Sequence, residues 1–217
     1  MTAVMLLLFA PRSSGGSGSN ALRELGALRN RQVLLTLLSG AVGFGGFFAF
    51  YTYLASTLID VTRVHEASIP LYLALMGVGM TLGALLAGWA ADRALNISVF
   101  ATLFINIALL LLFPSIADMP QAMAVLVFAL GVANGYPILL QTRLMDVAGD
   151  AQALAAALHH AAFNAANALG PFAASIFIAK GYGFPSSGYV GAALTFGGVV
   201  LYAVTVWDHR RSLRDRS

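Results

Sequence analysis

Six stretches of this chain are apolar over lengths that dictate their surroundings. They cover residues 33–59, 70–91, 97–117, 121–142, 152–179 and 188–207, and a helix of about 20 such residues crosses the hydrocarbon core of a bilayer. Folded in water, 217 residues could not cover all six runs, because a soluble domain carries about 25% charged residues to meet its solvent. Here charged residues make up 10% and hydrophobic residues 59%. The expected fold class is all-α: a polytopic membrane protein of six transmembrane helices in a lipid bilayer. The net charge is only +3, with scattered basic residues, so the chain lacks the basic stripe of a nucleic-acid surface. It has no cysteine, which excludes disulfides, thiolate metal sites and cysteine nucleophiles.

Prolines mark the edges of the runs. Pro70, Pro114, Pro120 and Pro185 lie at or near span ends, where a missing N–H is cheap. Pro137 and Pro171 lie inside the fourth and fifth spans, where each frees a backbone carbonyl and permits a kink that neighbouring helices must satisfy. Residues 1–10 are apolar but too short to span and lack a basic n-region, so they are expected to be the stump of a preceding span rather than a signal peptide. Residues 11–31 combine the Gly/Ser-rich PRSSGGSGSN with a short basic amphipathic segment, expected as a cytoplasmic linker lying against the membrane. Residues 32–208 form the six-span domain and 209–217 a basic tail. With linker and tail cytoplasmic, only Arg63 and Lys180 of the 12 Lys and Arg residues fall outside, a strong positive-inside bias.

Polar residues inside spans mark a path, because lipid burial is costly and such groups usually face a bundle interior or water. His160, Asn164, Asn167 and Pro171 recur at i, i+4, i+7 and i+11, one face of a helix. Asn134 and Gln141 share a face of the fourth span, and Tyr53 and Ser56 sit three apart in the first. The expected substrate cavity is therefore lined by Tyr53, Ser56, Asn134, Gln141, His160, Asn164 and Asn167, whereas the third span offers only Asn106 and the last only Thr and Tyr, Thr195 among them, which is expected outside the cavity. Asn134 and Asn106 could equally be interhelical ties. His160 can carry or sense a proton, whereas Asp60, Asp118, Asp146 and Asp150 all lie near span ends. Gly79 and Gly83, like Ala84 and Gly88, place small residues along the second span for close helix packing.

Between the second and third spans the chain reads GWAADRALN. Gly88 followed by Asp92 and Arg93 at a cytoplasmic turn resembles the loop motif of the major facilitator superfamily. FFAFYTYLASTL, LLQTRLMDVAGDA and ALHHAAFNAANALGP resemble, in the expected order, its arabinose-efflux-like, drug:proton antiporter type of permease. Leu95 and Asn96 stand where the family pattern continues with glycine and basic residues. The resemblance implies the C-terminal half of a twelve-span transporter, spans seven to twelve, in which this turn latches one access state. Gly170-Pro171 resembles a remnant of the antiporter motif, with Ala173 and Ala174 where later glycines would stand. It further implies a multi-pass protein of the cell membrane with a cytoplasmic C-terminus and no cofactor. Its partners would be a small-molecule substrate such as a sugar, metabolite or drug, a proton as candidate coupling ion, and a second six-span half or a homodimer.

Three other classes compete. An intramembrane hydrolase could recruit His159 or His160, but the chain has neither a G-x-S-x-G elbow nor an H-E-x-x-H helix. A channel would need a filter-like loop or paired half-helices. A transporter fragment, inactive alone or rebuilt by self-assembly, stays open.

Overall fold

The computed structural model describes residues 30–149 and 151–214. The expected stump, most of the linker and the end of the tail lie outside them.

Helix α1, Arg31–Asp60, starts on Asn30, whose side chain accepts from the Gln32 N–H at 2.9 Å and donates to the Val147 carbonyl at 3.0 Å. A short turn, Glu66–Ser68, leads into α2, Ile69–Ile116. Then come α3, Pro120–Ala133, α4, Tyr136–Ala148, and α5, Gln152–Phe177, which ends in a widened π-type turn, Ile178–Tyr182. Helix α6 is Ser186–Arg214. Among the described residues all regular structure is helical. Five helical stretches are long and apolar enough to cross a membrane: Arg31–Asp60, Glu66–Ile116, Pro120–Ala148, Gln152–Tyr182 and Ser186–Ser212.

Two features depart from the expected boundaries. The second and third apolar runs join into the single 48-residue α2, because nothing between them forbids helical hydrogen bonding: the turn holds neither proline nor a glycine after Gly88. Straight, that helix would reach about 70 Å. Instead, Tyr72 near its start donates to the carbonyl of Pro120, just past its end, at 3.1 Å. The reversal occurs at Ala94, whose φ −156° and ψ 62° are non-helical, and Ser98 ties it by reaching the Ala94 and Ala90 carbonyls at 2.9 and 3.3 Å. The limbs 69–93 and 95–116 therefore lie side by side. The fourth run has the opposite fate and is broken into α3 and α4 at Asn134 and Gly135.

Helix α1 is central. Phe50, Leu54 and Leu58 are fully buried with Leu110 and Phe113 of α2 and Tyr202 of α6. Against α6 and α5 its backbone makes close approaches that leave no room for side chains. A Cβ at Gly46 would overlap Thr195 Oγ1 and the Gly191 carbonyl, and one at Gly170 would overlap the Gly45 carbonyl. In lipid, where apolar contact between helices gains little over lipid contact, such backbone approach is a main source of cohesion. At Gly77 a Cβ would meet nothing within 4 Å. Gly46→Ala should lower stability by about 1–3 kcal/mol through overpacking, while Gly77→Ala should be neutral or stabilising by up to about 1 kcal/mol through helix propensity. Thermal unfolding of the two variants in one detergent checks the contrast.

Candidate functional site

The break between α3 and α4 follows from Pro137. Proline has no N–H to give the carbonyl four residues back, which is that of Ala133. Asn106 supplies the missing donor from the second limb of α2: its Nδ2 reaches the Ala133 carbonyl at 2.8 Å and the Thr102 carbonyl at 2.9 Å. Asn134, at 8% exposure, consequently turns inward, and with Asn106, Tyr136 and Thr195 it lines a cavity of about 10 Å³. Beside it Tyr136 donates to the Ser39 carbonyl at 2.9 Å, and Ser39 Oγ lies 3.1 Å from the Gly198 carbonyl that it donates to. One buried polar knot thereby joins α1, α4 and α6.

The face of α5 is built differently. Tyr53 Oη of α1 donates to the carbonyl of Pro171 at 3.2 Å, tying the two helices at the proline. Phe163 packs with Phe44 and Phe48 at centroid distances of 4.6 and 5.2 Å. His160, Asn164 and Asn167 are all exposed, on the side of α5 turned away from its neighbours, whereas Ala166, Gly170 and Ala174 face inward. His159 is half-buried in a second cavity of about 10 Å³, lined among others by Thr36, Phe44, Tyr136 and Phe163. The two imidazoles sit 5.8 Å apart. Among the described residues neither hydrogen-bonds a serine or a carboxylate.

The structure thus brings Tyr53 to the α5 proline, with Ser56 half-buried one turn on, and exposes Gln141 on α4. It does not bring Asn134 to the α5 stripe. At the α2 reversal Asp92 and Arg93 are exposed, and Arg93 folds back over the Trp89 ring at 4.1 Å and donates to the Trp89 carbonyl at 3.1 Å. Among the described residues Asp92 forms no ion pair. A Cβ at Gly88 would meet nothing within 4 Å among the described residues, so no packing among them requires a glycine there.

A fold of apolar helices with a polar stripe on the proline-containing α5 and an Asp-Arg turn agrees with comparisons to known proteins. The model of the Major Facilitator Superfamily matches residues 65–216. The chain belongs to the major facilitator superfamily. Similar relatives include the inner membrane transport protein YdhP of Escherichia coli K12, 31% identical over 88% of this chain and 50% of its own length. A chloramphenicol resistance protein of Streptomyces lividans is 33% identical over 75% of this chain and 42% of its own. A probable sugar efflux transporter of Haemophilus influenzae is 27% identical over 96% of this chain and 51% of its own. The chain spans about half the length of the curated relatives it matches. Efflux-type names among them accord with the arabinose-efflux-like type within the superfamily.

Sequence reading of this major facilitator chain missed one further cluster, where the start of α1 meets the C-terminal parts of α4 and α6. Arg143 is 7% exposed and approaches Gln32 Oε1 at 3.5 Å; Gln32 Nε2 donates to Asp208 at 2.6 Å, and Arg31 pairs with Asp208 at 3.3 Å. These residues lie far apart in sequence and near span ends, so no periodicity connects them. The Asn106 tie was accessible in principle, since Pro137 demands a donor and Asn106 is the one amide of the third run. Asn106→Leu should cost about 1–3 kcal/mol by leaving the Ala133 carbonyl bare, and Tyr53→Phe about 0.5–1.5 kcal/mol for a half-buried bond. Denaturation in detergent with matched helix content ranks the two.

Proposed function

We propose that this chain is a six-crossing unit of an efflux-type secondary transporter that moves a small molecule by alternating access, without catalysis. The two limbs of α2 would each cross the bilayer, the reversal at Ala94 serving as the tight turn between them. The ligand would sit near the bilayer midplane between this unit and a second one, either another six-span half or a second copy of this chain.

The observation that carries this reading is the placement of His160, Asn164 and Asn167. Only 17% of the most apolar window of α5 is buried within the chain, against 61% for the α3 and α4 stretch. A least-buried helix that turns two amides and an imidazole outward needs a polar surface or water opposite it, since lipid would leave those groups unsatisfied. Tyr53 and Ser56 would extend the lining from α1 and Gln141 from α4, with Phe48 and Phe163 as an apolar flank. Asn134 serves the helix break instead. Asp92, exposed and outside any ion pair among the described residues, is suited to face the positive N-terminus of a helix in the second unit, an attraction of about 0.3–1 kcal/mol when exposed. The substrate would be a sugar, metabolite or drug, the proton a candidate coupling ion and the tail cytoplasmic.

Flux measured in proteoliposomes tests the proposal. Asn164→Ala and Asn167→Ala should each lower transport about two- to tenfold, the loss of one hydrogen bond to substrate, at unchanged expression. Val125→Ala, at an exposed apolar position of α3, should leave it unchanged. His160→Gln keeps hydrogen bonding and removes titration, so it should flatten the pH dependence of transport. Equal flux in all four proteins would remove the α5 face from the transport path.

A further inference from the structure

Asn106 has a use beyond its tie to the broken helix. Both of its Nδ2 hydrogens go to backbone carbonyls, those of Thr102 and Ala133. Carbonyls accept only, so the amide cannot be turned over without losing both bonds. Its Oδ1 is thereby fixed as an acceptor, and it is buried without a partner in a side chain only 6% exposed. Asn106 lines the cavity of about 10 Å³ together with Asn134, Tyr136 and Thr195.

The protein neighbours have little to offer that oxygen. The Thr195 hydroxyl donates to the Gly191 carbonyl at 2.8 Å. The Tyr136 and Ser39 hydroxyls lie 2.7 Å apart and share two hydrogens between that contact and the carbonyls of Ser39 and Gly198, so neither has one to spare for Asn106. The Asn134 amide lines the same space and makes no side-chain hydrogen bond among the described residues. A small molecule that both donates and accepts would complete this set, donating to Asn106 Oδ1 and to a hydroxyl oxygen and accepting from Asn134 Nδ2.

We propose that the cavity at the α3–α4 break is a binding site for one water molecule, held by Asn106, Asn134 and the hydroxyls of Tyr136 and Thr195. The size fits, since about 10–15 Å³ of such volume holds one water and two to four polar partners are what a buried water needs. A neutral water matches this lining better than a sodium ion, because no lining residue is charged and a buried cation would lack a compensating carboxylate. The water gives the break a hydrogen-bond partner that can reorient. The angle between α3 and α4 can then change while Asn106 Oδ1 stays satisfied, which a direct side-chain bond of fixed length would resist. The site stands independently of any transported substrate.

X-ray hydroxyl-radical footprinting of the intact chain in lipid nanodiscs is the test, because radicals generated from a bound water react with the side chains around it. Tyr136 and Tyr202 are 2% and 0% exposed, and only Tyr136 lines the cavity. Tyr136 should be oxidised at least several-fold faster than Tyr202, and Asn134→Leu, which fills the space with aliphatic volume, should bring it down to the Tyr202 rate. Equal protection of the two tyrosines in the unaltered protein would overturn the proposal, even if the variant failed to fold. So would oxidation of Tyr136 that persists undiminished in a folded Asn134→Leu protein. Labelling that vanishes when sodium chloride replaces choline chloride would assign the cavity to a cation and overturn the water site equally.

Discussion

The hydrogen bond from Asn106 to the Ala133 carbonyl meets the strictest demand on a chain in lipid, that every backbone polar group find a partner without water. Pro137 removes the N–H that would have served that carbonyl, and Asn106 replaces it from a neighbouring limb at 2.8 Å. Because the tie comes from α2, it fixes where α3 breaks and which way Asn134 turns. The same logic acts at the α2 reversal, where Ser98 reaches back to Ala90 and Ala94; at Pro171 Tyr53 instead ties α1 to α5 through the proline's own carbonyl. The α3–α4 break and the α2 reversal are thus each held by one polar side chain from a nearby turn or helix.

Close packing does the complementary work. Gly43 and Gly46 of α1 lie directly against Gly198 and Gly191 of α6, and Gly45 lies against Gly170 of α5, so α1 is gripped by backbone on two sides. Gly79 and Gly83 likewise admit the carbonyls of Phe128 and Val132 from α3. The α2 glycines with nothing within 4 Å among the described residues, Gly77 and Gly88, share another face of that helix. Among the described residues, the outward stripe of α5 and this open face of α2 are surfaces that the bundle leaves uncovered, and the proposed second unit would have to meet them.

Apolar run length made the helices legible, because the thickness of a bilayer sets it directly. The Asp-Arg turn and the ordered stretches around it made the family legible. The breaks were less so. Ala94 has no local signature, since alanine is the best helix former and its distortion comes from the tertiary reversal. Asn134 and Gln141 share a face only if the helix between them is regular; the break at Gly135 resets that register, so one is buried and the other exposed. Thr195 looked peripheral by span, yet at 2% exposure it sits between α1 and α6, where glycines let it enter. By contrast, His160, Asn164 and Asn167 lie on an uninterrupted stretch of α5, so period alone gave their common exposure.

The central claim is that this stripe faces water at membrane depth. The chain contains no cysteine, so single cysteines introduced along α5 can be read without background. A membrane-impermeant thiol reagent applied to the protein in sealed bilayers should label cysteines at 160, 164 and 167 rapidly, and those at 166, 170 and 174 slowly or not at all. A cysteine at 172, on the exposed but apolar part of α5, should react preferentially with a lipid-soluble reagent. Protection of 160, 164 and 167 from the aqueous reagent, with labelling only by the lipid-soluble one, would mean that these polar groups meet lipid or another helix, and the transport reading would fail.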